Sequence, residues 1–207
     1  MKLPAAIAVA DGIRLWPQAF DPKVQATLVA DVLSRVEQAP FYKPLMPGSG
    51  KPFSVEETNF GSLGWISDRG GYRYEARHPE TRKPWPAIPE TLLDLWNAAT
   101  GHAAQPECCL VNLYRGPARM GLHQDKDEAA LEAPVLSVSL GDTAVFRIGG
   151  TSQRGATHSL KLSSGDVLAF GGPARLAYHG VDRVLAGTSR VIPGGGRINL
   201  TLRRVTQ

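Results

Sequence analysis

Two cysteines in 207 residues, Cys108 and Cys109, leave this chain without a disulfide framework. Adjacent cysteines rarely bridge, so reduced thiols and a cytoplasmic setting are expected. Long apolar runs are also missing. Hydrophobic residues make up 43% of the chain, yet no run approaches the roughly 20 residues a membrane-spanning helix needs, and no membrane partner is expected. The opening Met1–Ala10 is mildly apolar. It carries Pro4 and leads straight into Asp11-Gly12, so it reads as a strand rather than a signal peptide. Internal repeats, low-complexity tracts and linkers are absent, and the length fits one domain over residues 1–207. Charge is nearly balanced, with 23 Lys and Arg against 19 Asp and Glu for a net +4. That is compatible with a polyanionic partner but does not demand one.

The residues that are present divide the chain. Asp21-Pro22 followed by Val24, Leu28, Val32 and Val36 predicts a helix: Asp caps, Pro suits the first turn, and apolar residues recur every four. Ala39-Pro40 stops it. A second helix is predicted over Pro89 to Ala99, with Leu92, Leu93, Leu95 and Trp96 as its apolar stripe and Gly101 as its stop. From Glu107 onward, short apolar segments alternate with Gly- and Asp-containing turns. They are Cys108–Tyr114, Pro134–Leu140, Ala144–Ile148, Ser159–Leu162, Asp166–Phe170, Leu176–His179 and Arg197–Val205. Such spacing predicts a sandwich or barrel. Between the helices, about 40–86 is rich in Gly, Pro and aromatics, and reads as a loop-rich lid or binding surface.

Chemistry concentrates in three fragments. In an extended segment His123 and Asp125 share one face while Gln124 points away. With His179 they form the ligand set of a two-His-one-carboxylate triad, which holds Fe(II) and leaves a face open. Alone, the polar run His123–Glu128 reads better as a solvated turn, and His179 better as a satisfied histidine at a strand end. His78, His102 and His158 lack partners at ligand spacing. The last fragment shifts the balance. Arg197, Asn199, Thr201 and Arg203 alternate with Ile198, Leu200 and Leu202, so one face is polar and cationic and the other aliphatic. The polar face lies either in solvent or inside a barrel beside the metal. In the second case guanidinium forks suit an organic acid with two carboxylates, 2-oxoglutarate above all. Asn112 and Tyr114 share a face by the same parity.

In this order, Asn112-x-Tyr114, His123-x-Asp125, His179 and Arg197-x-Asn-x-Thr-x-Arg203 resemble the AlkB family of Fe(II)/2-oxoglutarate dioxygenases. Leu122–Glu128, Ser137–Gly141, Lys83-Pro-Trp-Pro-Ala87, Gly61–Trp65 and Tyr178-His-Gly180 extend the resemblance over about residues 40 to 204. It implies an α+β, β-rich fold: a double-stranded β-helix, or jelly roll, over about 105–205, with N-terminal helices and a nucleotide-recognition lid. It implies that His123, Asp125 and His179 ligate iron, and that Asn112, Tyr114, Arg197, Asn199 and Arg203 hold 2-oxoglutarate. Thr201 has a weaker claim. The implied activity is oxidative dealkylation of N-alkylated bases such as 1-methyladenine and 3-methylcytosine. It consumes O2 and 2-oxoglutarate and releases formaldehyde, succinate and CO2. The implied partner is alkylated single- or double-stranded DNA, or RNA, met by a monomer.

On the substrate side, Trp65, Arg69, Tyr72, Arg73, Tyr74, Arg77, Arg82, Lys83 and Trp85 interleave cations with rings. That mixture suits a nucleic acid strand, and equally a β-hairpin with an exposed basic face. The resemblance assigns Trp65 to stack on a flipped base, Tyr72 to touch the nucleotide, and Asp127 to attract a cationic base. After Gly149-Gly150 the family often carries a basic contact residue; ungapped counting puts Gln153 there, with Arg154 adjacent and favoured. Phe170 stands where the bacterial protein commonly has Trp. Two rivals remain at this point: an oxygenase of the same type acting on protein or a metabolite, and a non-catalytic jelly-roll module that binds nucleic acid.

Overall fold

The structure is a computed structural model that describes residues 1–207. Helix α1 (Pro22–Val36) begins as its sequence dictates, with the Asp21 carboxylate accepting the Val24 N–H at 2.9 Å. Helix α2 (Glu90–Thr100) takes Pro89 as its N-cap and closes on Gly101 at φ 64°, the left-handed geometry that favours glycine. No helix is long and apolar enough to cross a membrane.

Thirteen strands, numbered in chain order, make two facing sheets and a hairpin. The larger sheet runs β1 (Ile7–Ala10), β2 (Ile13–Trp16), β11 (Val167–Phe170), β8 (Val135–Gly141), β13 (Arg197–Arg203), β6 (Cys108–Tyr114) and β3 (Glu56–Gly61). The smaller runs β10 (Thr157–Leu162), β9 (Thr143–Gly149), β12 (His179–Leu185) and β7 (Met120–His123). The hairpin is β4 (Gly64–Asp68) with β5 (Gly71–Glu75). This is the double-stranded β-helix expected from the resemblance.

Parity divides the core in two. Ile198, Leu200 and Leu202 of β13 face outward with Val111, Leu136 and Val138, and pack under Leu28, Val32, Leu92, Leu95 and Trp96 of the helices. Each such fully buried aliphatic side chain stabilises the fold by roughly 1.5–3 kcal/mol. Between the sheets, Val135, Leu168 and Phe170 meet Phe146, Ile148 and Val181. The helices thus brace the back of the larger sheet, and its front faces the smaller sheet across the cavity.

Several expectations change. Leu176–Tyr178 is not a strand; it follows a 3-10 turn at Gly172–Ala174, and His179 opens β12 rather than ending a run. The N-terminal strand is confined to Ile7–Ala10 and continues through Asp11-Gly12 into β2. A Cβ on Gly12 would lie 2.4 Å from the Gly171 carbonyl oxygen, which explains that glycine. The segment 40–86 is less loop-rich than its composition suggests. It holds β3, which closes the edge of the larger sheet, as well as the β4–β5 hairpin. Cys108 and Cys109 are both buried and free, on opposite faces of β6.

Candidate active site

The mouth of the roll is a cavity of about 650 Å³ between the sheets and the β4–β5 hairpin. His123 and His179 face each other as a cross-strand pair of β7 and β12, their ring centroids 4.5 Å apart. The strands approach closely here because Gly180 follows His179; a Cβ on it would meet the Met120 carbonyl oxygen at 2.6 Å. Asp125 lies two residues past His123, with its carboxylate oxygens 3.7 Å from His123 Nε2 and 3.9 Å from His179 Nε2. One donor atom from each of the three lies within 4.8 Å of the others.

The surroundings of the triad prepare it for a metal. Nδ1 of His123 sits 2.9 Å from the Gly121 carbonyl oxygen, and Nδ1 of His179 sits 2.9 Å from that of Ala177. Each contact fixes the tautomer that leaves Nε2 as a free lone pair toward the centre. Burial, with His123 alongside, pushes the His179 imidazole down to about 4, so it stays neutral and able to ligate. Burial alone would raise Asp125. Arg203 and the two histidines override that effect and hold its carboxyl well below the ordinary range. Arg203 forks this carboxylate, Nε to Oδ2 at 3.0 Å and Nη2 to Oδ1 at 2.9 Å. Carboxylate oxygens carry enough lone pairs to accept the fork and still bind an ion. Phe170 and Phe146 flank the His179 ring at 4.7 and 5.8 Å between centroids and wall off one side.

Of the residues expected for the organic acid, Asn112, Tyr114, Asn199 and Arg203 line the same cavity as the triad, whereas Arg197 does not. Arg197 pairs across strands with Tyr114, and Asn199 with Asn112. Asn112 leaves its Oδ1 buried and without a partner, and Arg197 leaves its Nε likewise. Arg197 is almost fully buried behind the cavity, its other nitrogens held by Ser139 Oγ at 2.8 Å and the Leu162 carbonyl at 3.1 Å. Burial lowers its guanidinium to about 10. Asn199 donates to Ser137 Oγ at 2.7 Å, and Thr201 donates to Asn199 Oδ1 at 2.9 Å. The unpartnered Arg197 N–H, and the Asn112 amide turned so that its N–H2 faces the acid, fit a small dicarboxylate held next to a metal. Arg203, expected to face that acid, is also committed to Asp125.

Of the substrate-side expectations, Trp65, Tyr72 and Asp127 come together at the cavity rim. The Trp65 indole N–H donates to Asp127 Oδ2 at 2.8 Å, and its ring stacks on Tyr72 with centroids 5.3 Å apart. Asn59 clamps the Trp65 main chain through both its amide nitrogen and its oxygen. Arg154 and Gln153 lie exposed in the β9–β10 turn, and neither lines the cavity. Trp85 is not presented to a partner. It is buried with Ala39, Tyr42 and Ile66, and its indole donates to the Glu75 carbonyl. Arg73 is engaged by Asp68 and Glu75. His78, read as an ordinary histidine, is buried and bonded to the Pro40 carbonyl.

The sequence reading missed a buried network behind the triad. Arg175 donates to the main-chain oxygens of Asp125 and Ala133 and to Glu128 Oε2 at 3.0 Å. Glu128 also accepts from Tyr74 of the hairpin and lies 3.5 Å from Arg203. The hairpin is thereby tied to the metal triad. In the sequence Glu128 is one more charge in a polar run, and no local pattern marks Arg175.

The model of the 2OG-Fe(II) oxygenase superfamily matches residues 12–203 of the chain. The chain is 58% identical over 198 residues to the alpha-ketoglutarate-dependent dioxygenase AlkB homolog of Caulobacter vibrioides (strain NA1000 / CB15N), spanning 96% of this chain and 90% of that protein. It is 42% identical over 181 residues to the alpha-ketoglutarate-dependent dioxygenase AlkB of Escherichia coli K12, spanning 86% and 83%. Among solved structures, OsALKBH1 aligns over 97% of this chain and 100% of its own, with a TM-score of 0.84 at 28% identity. The fold and the His-Asp-His set therefore define an oxygenase that uses Fe(II), 2-oxoglutarate and O2. Within that superfamily the chain belongs to the AlkB family.

Proposed function

We propose that the protein repairs N-alkylated bases in nucleic acid by oxidative dealkylation. The observation that carries this reading is the juxtaposition of a metal triad with an aromatic and acidic rim in one cavity: His123, Asp125 and His179 below, Trp65, Tyr72 and Asp127 above. His123, Asp125 and His179 hold the iron. Asn112, Tyr114, Arg197, Asn199 and Arg203 would hold 2-oxoglutarate, and Arg203 also forks the Asp125 ligand. Iron with 2-oxoglutarate and O2 supplies the oxidising power that hydroxylates the N-alkyl carbon, and formaldehyde, succinate, CO2 and the restored base leave.

The remaining work falls to the chain's own side chains. Trp65 and Tyr72 offer ring faces for a base taken out of its stack, a step that costs least when the lesion already spoils pairing. Asp127 attracts the positive charge of 1-methyladenine or 3-methylcytosine and accepts from its exocyclic amine. The Trp65 indole occupies only Oδ2 of Asp127, so Oδ1 remains to accept from the base. Residues of about 40–86 act as the lid and those of about 105–205 as the catalytic core. Arg154 is reserved for the flanking strand, outside the cavity. DNA is the favoured polymer, single strands or duplexes, and RNA presents the same bases. A monomer is sufficient because every proposed site residue comes from one chain. A reduced cytoplasmic setting suits two free buried thiols.

Purified protein with Fe(II), 2-oxoglutarate and a 1-methyladenine oligonucleotide should release formaldehyde and leave adenine. His123→Ala and Asp125→Ala should abolish that release. Succinate formation stimulated by free metabolites but not by the oligonucleotide would point instead to a small-molecule oxygenase.

A further inference from the structure

Glu57 stands apart from everything above. It is the second residue of β3, is fully buried, and lines the active-site cavity. Neither of its carboxylate oxygens has a hydrogen-bond partner. A buried carboxyl without a partner destabilises a fold, and this one faces the substrate cavity rather than a structural ion pair.

Its placement is specific. Glu57 pairs across strands with Asn112, one of the residues proposed to hold the cosubstrate. Two positions along the same inward face is Asn59, whose side chain clamps Trp65. Glu57 therefore lies between the cosubstrate row and the ring proposed to cover the base. The other acidic groups of the cavity are mostly committed. Asp125 is forked by Arg203, and Glu128 is held by Arg175 and Tyr74. Only Asp127 and Glu57 remain without a cationic partner. The titratable groups that act on Glu57 from neighbouring elements are Arg203, itself engaged by Asp125, Tyr114 of β6, and Tyr42, whose main chain pairs with Glu57 and whose hydroxyl is also unpartnered.

We propose that Glu57 is a specificity-determining residue, a second acidic group beside Asp127 that selects positively charged alkylated bases over neutral ones. Burial raises its carboxyl to about 8, so it rests as a neutral acid in the empty cavity. A cation entering alongside favours the charged form, and the carboxyl gives up its proton to solvent at the cavity mouth as the base arrives. Adenine alkylated at N1 and cytosine alkylated at N3 bring that charge. Guanine methylated at N1 and thymine methylated at N3 do not, and find an acid that stays protonated.

This inference rests on the dealkylation reading, and its test separates the two. Wild type and Glu57→Gln are compared for kcat/KM on otherwise identical oligonucleotides carrying 1-methyladenine, 3-methylcytosine, 1-methylguanine or 3-methylthymine. Binding of the same oligonucleotides is followed by fluorescence anisotropy without iron. Gln fills the same space and keeps hydrogen-bonding capacity but cannot ionise. The ratio of cationic to neutral lesions should fall about tenfold in both kcat/KM and affinity. Glu57→Met serves as a second variant, and thermal melts establish that each is folded. An unchanged ratio, or an equal fall on all four lesions, overturns the proposal. So does a change confined to KM for 2-oxoglutarate, which would assign Glu57 to the cosubstrate. Wild type inactive on all four lesions would remove the dealkylation reading and this inference with it.

Discussion

Arg203 grips Asp125 through two parallel hydrogen bonds of 2.9 and 3.0 Å, from the last residue of β13 to the one carboxylate of the metal triad. The contact fixes which way the carboxylate faces, and therefore where its free lone pairs point. Arg203→Lys keeps the charge but cannot reproduce the fork. Metal affinity should fall roughly 10- to 100-fold, the usual consequence of losing a residue that orients a ligand. Titration with Fe(II) under anaerobic conditions, without 2-oxoglutarate, measures this apart from any cosubstrate effect. Wild-type affinity in the lysine variant would mean that the fork is incidental.

The bond between Trp65 and Asp127 leads to a second expectation. Stacking of a base on an aromatic ring contributes about 1–3 kcal/mol, so Trp65→Ala should weaken oligonucleotide binding roughly 5- to 150-fold. Binding should also disturb the emission of Trp65, because a base comes to stack on the indole. A protein that keeps Trp65 as its one tryptophan and whose emission is insensitive to saturating substrate analogue would contradict it.

Arg175 has no expected contact with substrate, yet its loss should be severe. It satisfies two main-chain oxygens and pairs with Glu128, both side chains being almost wholly buried. Arg175→Ala strands that carboxylate, and removing one member of a buried pair costs about 3–5 kcal/mol. Urea unfolding should register the loss as a lower midpoint. Removing both members, Arg175→Met with Glu128→Leu, should recover part of it.

Glu57 also makes stability depend on pH. Its carboxyl sits at about 8 in the folded protein, against an ordinary 4.5. A group raised on folding stabilises fully below its unfolded value, and that contribution fades as pH rises through its folded value. Its contribution is therefore complete below about 4.5 and disappears progressively between 4.5 and about 8. The melting temperature of Glu57→Gln should gain on wild type across that interval and run parallel above it. A constant offset from pH 4 to 9 would show that the Glu57 carboxyl titrates alike in the folded and unfolded chains.

Much of this was legible in the sequence, and the reasons are physical. The alternation in Arg197–Arg203 has period two, and only a strand with unlike faces keeps that period; the aliphatic face lies under the helices and the polar face inside the roll. Both helices announced themselves through caps and apolar spacing. What failed were features decided at long range. Leu176–Tyr178 is apolar enough for a strand, but the turn at Gly172–Ala174 delays pairing until His179. Glu56-Glu57-Thr58-Asn59 is too polar to suggest a strand, yet its middle residues are buried against β6 and the chain around Tyr42. The tie between Arg175 and Glu128 joins residues 47 apart, and no local spacing encodes it.

β13 serves two masters on opposite sides of one ribbon, metal chemistry in front and the helical brace behind. Moving the chain by a single residue would exchange its faces, hiding the guanidinium groups under the helices and turning leucines toward the iron. No intermediate register preserves either role. The strand can thus drift only by substitution, position by position, and tolerates neither insertion nor deletion. Along this ribbon, catalytic competence and mechanical support are inherited together or lost together.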